Sequence, residues 1–199
     1  MFKIKDSLIE TQESKRRSDF SFIITLFVMT LIMIVITFLG QFVFLRVSVS
    51  GNSMIPTLHN EDLLIANRLK EGKKGDIIII ADEKEYWLVK RVIATEGDTV
   101  MFDKDGFVYI NGEKYSDEFG FANHTLHDVK IELDKEYLLK EDEVFYLGDN
   151  RNNSNDSRDL WTCKQSQIVG VVESWSVNNK FLNAFFSLGK GLRNKLVKN

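Results

Sequence analysis

The chain has 199 residues and a net charge of −3, spread unevenly: +2 over residues 1–46, −10 over 47–173 and +5 over 174–199. An acidic body between basic ends excludes a nucleic-acid binder, which needs a basic patch to meet phosphates; basic ends beside an apolar span suit an anionic membrane surface better. The one cysteine, Cys163, rules out an intrachain disulfide, so the body must hold together by its core, for which roughly 130 residues suffice.

Residues 20–40, FSFIITLFVMTLIMIVITFLG, carry no charge, and none follows until Arg46. About 20 apolar residues cross the hydrocarbon core of a bilayer. A cleaved signal peptide has a shorter apolar stretch and small residues at its cleavage site; here bulky Phe42, Phe44 and Leu45 follow. The reading is an N-terminal segment over 1–18 and an uncleaved transmembrane helix over 19–45. Lys15, Arg16 and Arg17 precede the span, and Arg46 is the only Lys or Arg in the 15 residues after it. The positive-inside rule puts the N-terminus in the cytoplasm and the body outside.

Just beyond the span lies VSGNSMIPTLHN, residues 49–60, with the only proline of the chain, Pro56. Ser53 is either an ordinary turn residue or a nucleophile, and a nucleophilic serine needs a base. His59 is only six residues away, with no Asp evidently placed to orient it. His124 and His127 sit in a polar loop with no third metal ligand in view. All three read as surface or loop histidines.

The body predicts short strands over 45–49, 63–66, 76–81, 86–95, 99–102, 107–111, 129–133, 143–147 and 168–175. They are rich in Val, Ile and aromatics and are separated by turn clusters such as KEGKKGD, DKDG and NGEK. Many short strands argue for a mostly antiparallel sheet or barrel. In YWLVKRVIAT, Leu88, Lys90, Val92 and Ala94 share one face of a strand. Lys90 in an apolar run either snorkels from a sheet edge or is buried. Burial lowers a lysine pKa and turns the amine into a usable base.

The stretch YLGDNRNNSNDSRD, 146–159, concentrates Asp, Asn, Ser and Arg. It fails as a calcium loop, with Ser154 where the glycine and Leu160 where the bidentate Glu should be. It is either a polar surface turn or a loop bracing buried polar groups, since a serine hydroxyl there could orient a neutral lysine amine. In the tail, 177–199, apolar residues at 181, 185, 188, 192 and 196 follow a helical spacing with Lys190, Arg193 and Lys195 opposite. That predicts a basic amphipathic helix on the membrane, or else a helix packed on the body or a frayed tail, with Gly189 and Gly191 weakening a helix.

Together these stretches resemble the bacterial type I signal peptidases, in their compact Gram-positive form. The nucleophile box S-M-x-P-T is matched by Ser53-Met54-Ile55-Pro56-Thr57, and the base box K-R-V by Lys90-Arg91-Val92. The last box is matched at Gly148, Asp149, Asn150, Ser154, Asp156, Ser157 and Arg158. The resemblance implies a β-rich, barrel-like peptidase domain over 46–176. Ser53 would be its nucleophile and Lys90 its general base, with Ser154 hydrogen-bonded to the Lys90 amine. Asp156 would pair with Arg158, and Asp149 with Arg91. It implies secretory preproteins as substrates, cut after small residues at the first and third positions before the bond, with membrane lipids around the anchor and neither metal nor cofactor. Some members carry a serine two positions before the nucleophile as an oxyanion donor. Gly51 stands there in this chain, leaving the role to backbone N–H groups, chiefly that of Ser53. Sequons at Asn123, Asn152 and Asn155 include two inside the last box, where glycans would obstruct the site, in keeping with a bacterial source. Two other readings are a self-cleaving repressor-type protein, disfavoured by the anchor and acidic body, and an inactive membrane-tethered binding module of the same fold, disfavoured by the intact Ser53 and Lys90.

Overall fold

The computed structural model describes residues 2–81, 87–116, 119, 132–181 and 195–198. His124, His127 and most of the predicted strand 129–133 fall outside these, and residues 132 and 133 carry no strand. The chain divides into two compact units, Met1–Phe42 and Val43–Asn199.

The first unit is one helix, α1 (Phe2–Val43). Every large apolar side chain from Phe20 to Phe42 is exposed, as a lipid-facing helix requires, and Lys15–Val43 is long and apolar enough to cross a membrane. Three hydroxyls within it are satisfied internally. The hydroxyls of Thr25, Thr30 and Thr37 donate to the carbonyls of Ser21, Leu26 and Met33, which removes the need for water. The helix ends at Val43, two residues short of the predicted boundary, because Phe44 and Leu45 already pair with Asn67 and Ala66 in a sheet.

The second unit is mostly antiparallel sheet. Its strands are β1 (Phe44–Ser50), β2 (Leu63–Asn67), β3 (Ile77–Ala81), β4 (Trp87–Thr95), β5 (Thr99–Phe102), β6 (Val108–Ile110), β7 (Glu113–Lys114), β8 (Tyr137–Leu138), β9 (Glu143–Leu147), β10 (Cys163–Lys164), β11 (Ile168–Val172) and β12 (Lys195–Lys198), with a one-turn helix α2 (Ser157–Leu160) before β10. An eight-stranded sheet has the order β10-β9-β4-β3-β11-β2-β1-β12, and a four-stranded one the order β7-β6-β5-β8. The expected barrel is not closed. β10 and β12 end the larger sheet, which curls far enough to bring β12 near β4 without joining its two ends. The predicted tail helix fails at 195–198, where the chain pairs in parallel with β1.

Two features set up the site. β4 lies between β3 and β9, so it is an interior strand. Its pairing with β9 slips between Val92 and Ala94. This bulge carries Ile93 and Ala94 into a cluster with Val100, Phe102, Val108, Phe145 and Leu147 that packs the small sheet on the large one. A second cluster, of Val47, Val49, Met54, Leu58, Leu64, Ile77, Ile79 and Val89, lies under the β1–β2 connection.

Candidate active site

The β1–β2 connection is closed at its base, where Val49 N–H donates to the Asp62 carbonyl (2.9 Å) and Glu61 N–H to the Val49 carbonyl (2.8 Å). Met54 and Leu58 have no exposed surface and are joined by a Leu58 N–H to Met54 carbonyl bond of 2.9 Å. Burying each contributes roughly 1.5–3 kcal/mol, which nails both ends of the Ser53–Thr57 turn to the core. The Ile55–Pro56 bond within it is cis. Gly51 adopts φ = +107°, a conformation in which any side chain is strained, and its N–H donates to Asn60 Oδ1 at 3.0 Å. That backbone accounts for glycine where some family members carry serine.

Lys90 does not snorkel. It sits on an interior strand, opposite Ile78, with 0% of its surface exposed. Its Nζ lies 2.8 Å from Ser53 Oγ, to which it donates, and Ser53 is itself 2% exposed. Burial pushes the Lys90 pKa down from its ordinary 10.5 to about 8, with Asp156 opposing, Arg158 reinforcing and Asp149 opposing.

Two ion pairs flank the Ser53–Lys90 contact. Asp149, fully buried, takes a two-pronged contact from Arg91, Nε to Oδ1 at 2.8 Å and Nη2 to Oδ2 at 2.7 Å. Arg91 also donates to the Gly75 carbonyl (2.7 Å) and stacks 3.8 Å from the Phe119 ring centre. Asp156 takes the same fork from Arg158, at 2.9 and 3.0 Å. Arg158 reaches on to the Arg151 carbonyl at 2.7 Å. Both pairings match the sequence expectation, and each buried charge has the partner it needs.

The last loop also touches the nucleophile turn directly. Asn150 N–H donates to the Ser53 carbonyl (2.8 Å), and Asn150 Nδ2 to that of Asn52 (3.1 Å). A Cβ on Gly148 would lie 2.7 Å from the Ser53 carbonyl oxygen and 2.6 Å from Ser154 Cβ, so only glycine permits this approach. Thr57 Oγ1 donates to Asp149 Oδ2 at 2.6 Å, tying the turn to the Arg91 pair. Thr57 and Asn150 are links that sequence reasoning missed, although both stand inside the quoted boxes.

Ser154 departs from expectation. Its Oγ is buried and has no hydrogen-bond partner, while the Lys90 amine is bonded to Ser53. Cys163 is a buried free thiol whose pKa is pushed up to about 12 by burial, so it is no nucleophile. His59 is exposed and contacts Asp62. Among the described residues no cluster of His, Cys, Asp and Glu could hold a metal, and the Ser53 N–H has no acceptor.

A profile of the family described as signal peptidase, peptidase S26, matches residues 21–176. Signal peptidase I P of Bacillus subtilis subsp. natto is 35% identical over 154 residues, covering 72% of this chain and 83% of that protein. Signal peptidase I of Bacillus licheniformis is 35% identical over 174 residues, covering 82% and 91%. A solved signal peptidase I from Enterococcus faecalis V583 is 28% identical and aligns with 52% of this chain and 98% of its own, at a TM-score of 0.41. With the family profile spanning residues 21–176, the apolar helix and nearly all of the sheet unit, the chain belongs to the signal peptidase family, peptidase S26.

Proposed function

We propose that this protein is a membrane-anchored serine endopeptidase that removes N-terminal signal peptides from secreted preproteins, with Ser53 as nucleophile and Lys90 as general base. The observation that carries the reading is the 2.8 Å contact between Ser53 Oγ and the amine of a lysine with no exposed surface. A pKa near 8 leaves a useful fraction of that amine neutral at physiological pH.

Neutral Lys90 accepts the Ser53 proton as Oγ attacks the scissile carbonyl. The Ser53 N–H, free of any acceptor among the described residues, stabilises the developing oxyanion. Lys90 returns the proton to the leaving amine, and the signal peptide stays as an ester on Ser53. Water, deprotonated by Lys90, then adds to the ester; as the intermediate collapses Lys90 returns that proton to Ser53 Oγ, and the signal peptide leaves with a free carboxyl terminus. Asp149–Arg91 and Asp156–Arg158 hold the loop that grips the Ser53 carbonyl. Lys15, Arg16 and Arg17 ahead of the span support a cytoplasmic N-terminus and an extracytoplasmic peptidase domain in the cell membrane.

The test is cleavage of a preprotein by wild type, Ser53→Ala and Lys90→Ala in detergent, with the cut site sequenced. Each substitution is expected to abolish cleavage while thermal unfolding stays cooperative. Substantial cleavage by either variant contradicts the dyad, and an inert wild type leaves the tethered binding module.

A further inference from the structure

The outer edge of β1 is occupied by the chain itself. One edge of β1 pairs with β2, from Phe44↔Asn67 to Ser48↔Leu63. The other pairs with β12, in the register Val47↔Lys195, Ser48↔Leu196, Val49↔Val197 and Ser50↔Lys198. β1 runs directly into the nucleophile turn, so Lys198 lies level with a residue three positions before Ser53. β12 also comes close to β4, the strand that carries Lys90. Residues 195–198 thus lie between the strands that deliver the two halves of the dyad.

Polarity gives this position its meaning. Ser53 can be acylated only by a peptide whose residues ahead of the scissile bond run toward it. An extended peptide added to a sheet edge is held in register by main-chain hydrogen bonds. On this edge of β1 the productive direction is parallel to β1, the direction that β12 takes. The occupant is a poor substrate by composition: Lys-Leu-Val-Lys has no small residue, whereas the proposed cleavage requires small residues at two positions.

We propose that residues 195–198 are a built-in competitor that holds the substrate edge of β1 and that a preprotein must displace. The proposal rests on the peptidase reading above. A segment of the same chain competes at an effective concentration rather than at its bulk concentration. The apparent affinity for substrate falls by the fraction of molecules whose edge is free. Four residues of parallel pairing are weak enough to yield to a longer signal peptide.

The experiment uses the full-length protein with Leu196→Pro and Val197→Pro together. Proline has no N–H to donate, and successive N–H groups of a strand point to opposite sides, so one of the two losses falls on the face toward β1. Expected results are a KM for preprotein at least threefold lower, an unchanged kcat and an unchanged pH profile. A synthetic peptide spanning residues 191–199 should inhibit the double variant competitively, and the same peptide carrying both prolines should not. Binding of a fluorescein-labelled signal peptide to Ser53→Ala protein, with and without the prolines, reads the competition where no bond is cut. Equal KM and equal binding with and without the prolines overturn the proposal while leaving the peptidase reading intact. A wild type that cleaves no preprotein, with binding still tightened by the prolines, overturns the peptidase reading alone.

Discussion

Burying Lys90 works against folding at neutral pH. Its folded pKa is about 8 and its ordinary value 10.5. Below pH 8 the amine is charged in both states, and the folded protein bears the whole desolvation penalty, on the order of 3 kcal/mol. Between pH 8 and 10.5 the folded state sheds its proton first, so stability rises with pH, and above 10.5 the penalty is gone. Lys90→Met fills the same space without a charge. It should stabilise the protein at pH 7 by about 1–3 kcal/mol, net of the lost hydrogen bond to Ser53, and the gain should vanish near pH 10.5. Urea unfolding at both pH values measures this, and a variant less stable than wild type at pH 7 would refute the burial argument. Under the proposed dyad the same titration governs catalysis: kcat/KM should fall about tenfold per pH unit below 8. The alternation in YWLVKRVIAT placed Lys90 among apolar neighbours but left edge and interior open. That choice depends on β3 and β9 flanking β4, long-range pairing that no local pattern encodes. Gly51 was legible as an absent hydroxyl, whereas its φ of +107° belongs to the folded turn.

The loop after β9 acts as one element. Asp156 caps α2, accepting from Arg158 N–H, and it also takes the Gly148 N–H at 3.0 Å. Ser157 Oγ accepts from Tyr146 N–H at 2.9 Å. Among the charges around Lys90, Asp156 has the largest effect and raises its pKa, while Arg158 lowers it. Asp156→Asn should therefore move the acid limb of the pH–activity profile below 8, and Arg158→Met should move it above. Both variants lose stability, Asp156→Asn by about 3–5 kcal/mol, because each leaves a buried charge without its partner. The opposite movements of the limb separate electrostatics from simple loosening; shifts in the same direction would rule out the assigned roles. At this scale the longer strands were readable, since runs of five or more residues with at least four apolar ones between turn signals define β1 to β4 and β9 to within a residue or two. β7, β8 and β10 have two residues each, too few to show a period. β12 was read as helix because the spacing to Leu196 suits one, and a partner strand about 150 positions earlier overrides that local preference.

At the scale of the whole molecule, the question is where the helix gives way to the sheet. The charge-free run, its basic flank and the change from unbroken apolar residues to short alternating runs put the boundary near residue 45, and the two compact units meet between Phe42 and Val43. Among the described residues, the clusters that hold the second unit are drawn from residues 45–177, and every site side chain named above belongs to that unit. On the proposed membrane-anchored reading, the helix affects encounter with substrate, not chemistry. Enzyme and preprotein held in one membrane meet at an effective concentration that free diffusion does not reach. A protein beginning at Val43 should unfold cooperatively and cleave a short soluble peptide with kcat/KM within about threefold of the full chain. On a preprotein embedded in vesicles, its kcat/KM should fall at least tenfold, in line with the lost effective concentration. Comparing the two proteins on both substrates isolates the anchor's contribution. An equal loss on soluble and embedded substrates would mean that α1 supports the fold or the dyad itself, contrary to clusters drawn from residues 45–177.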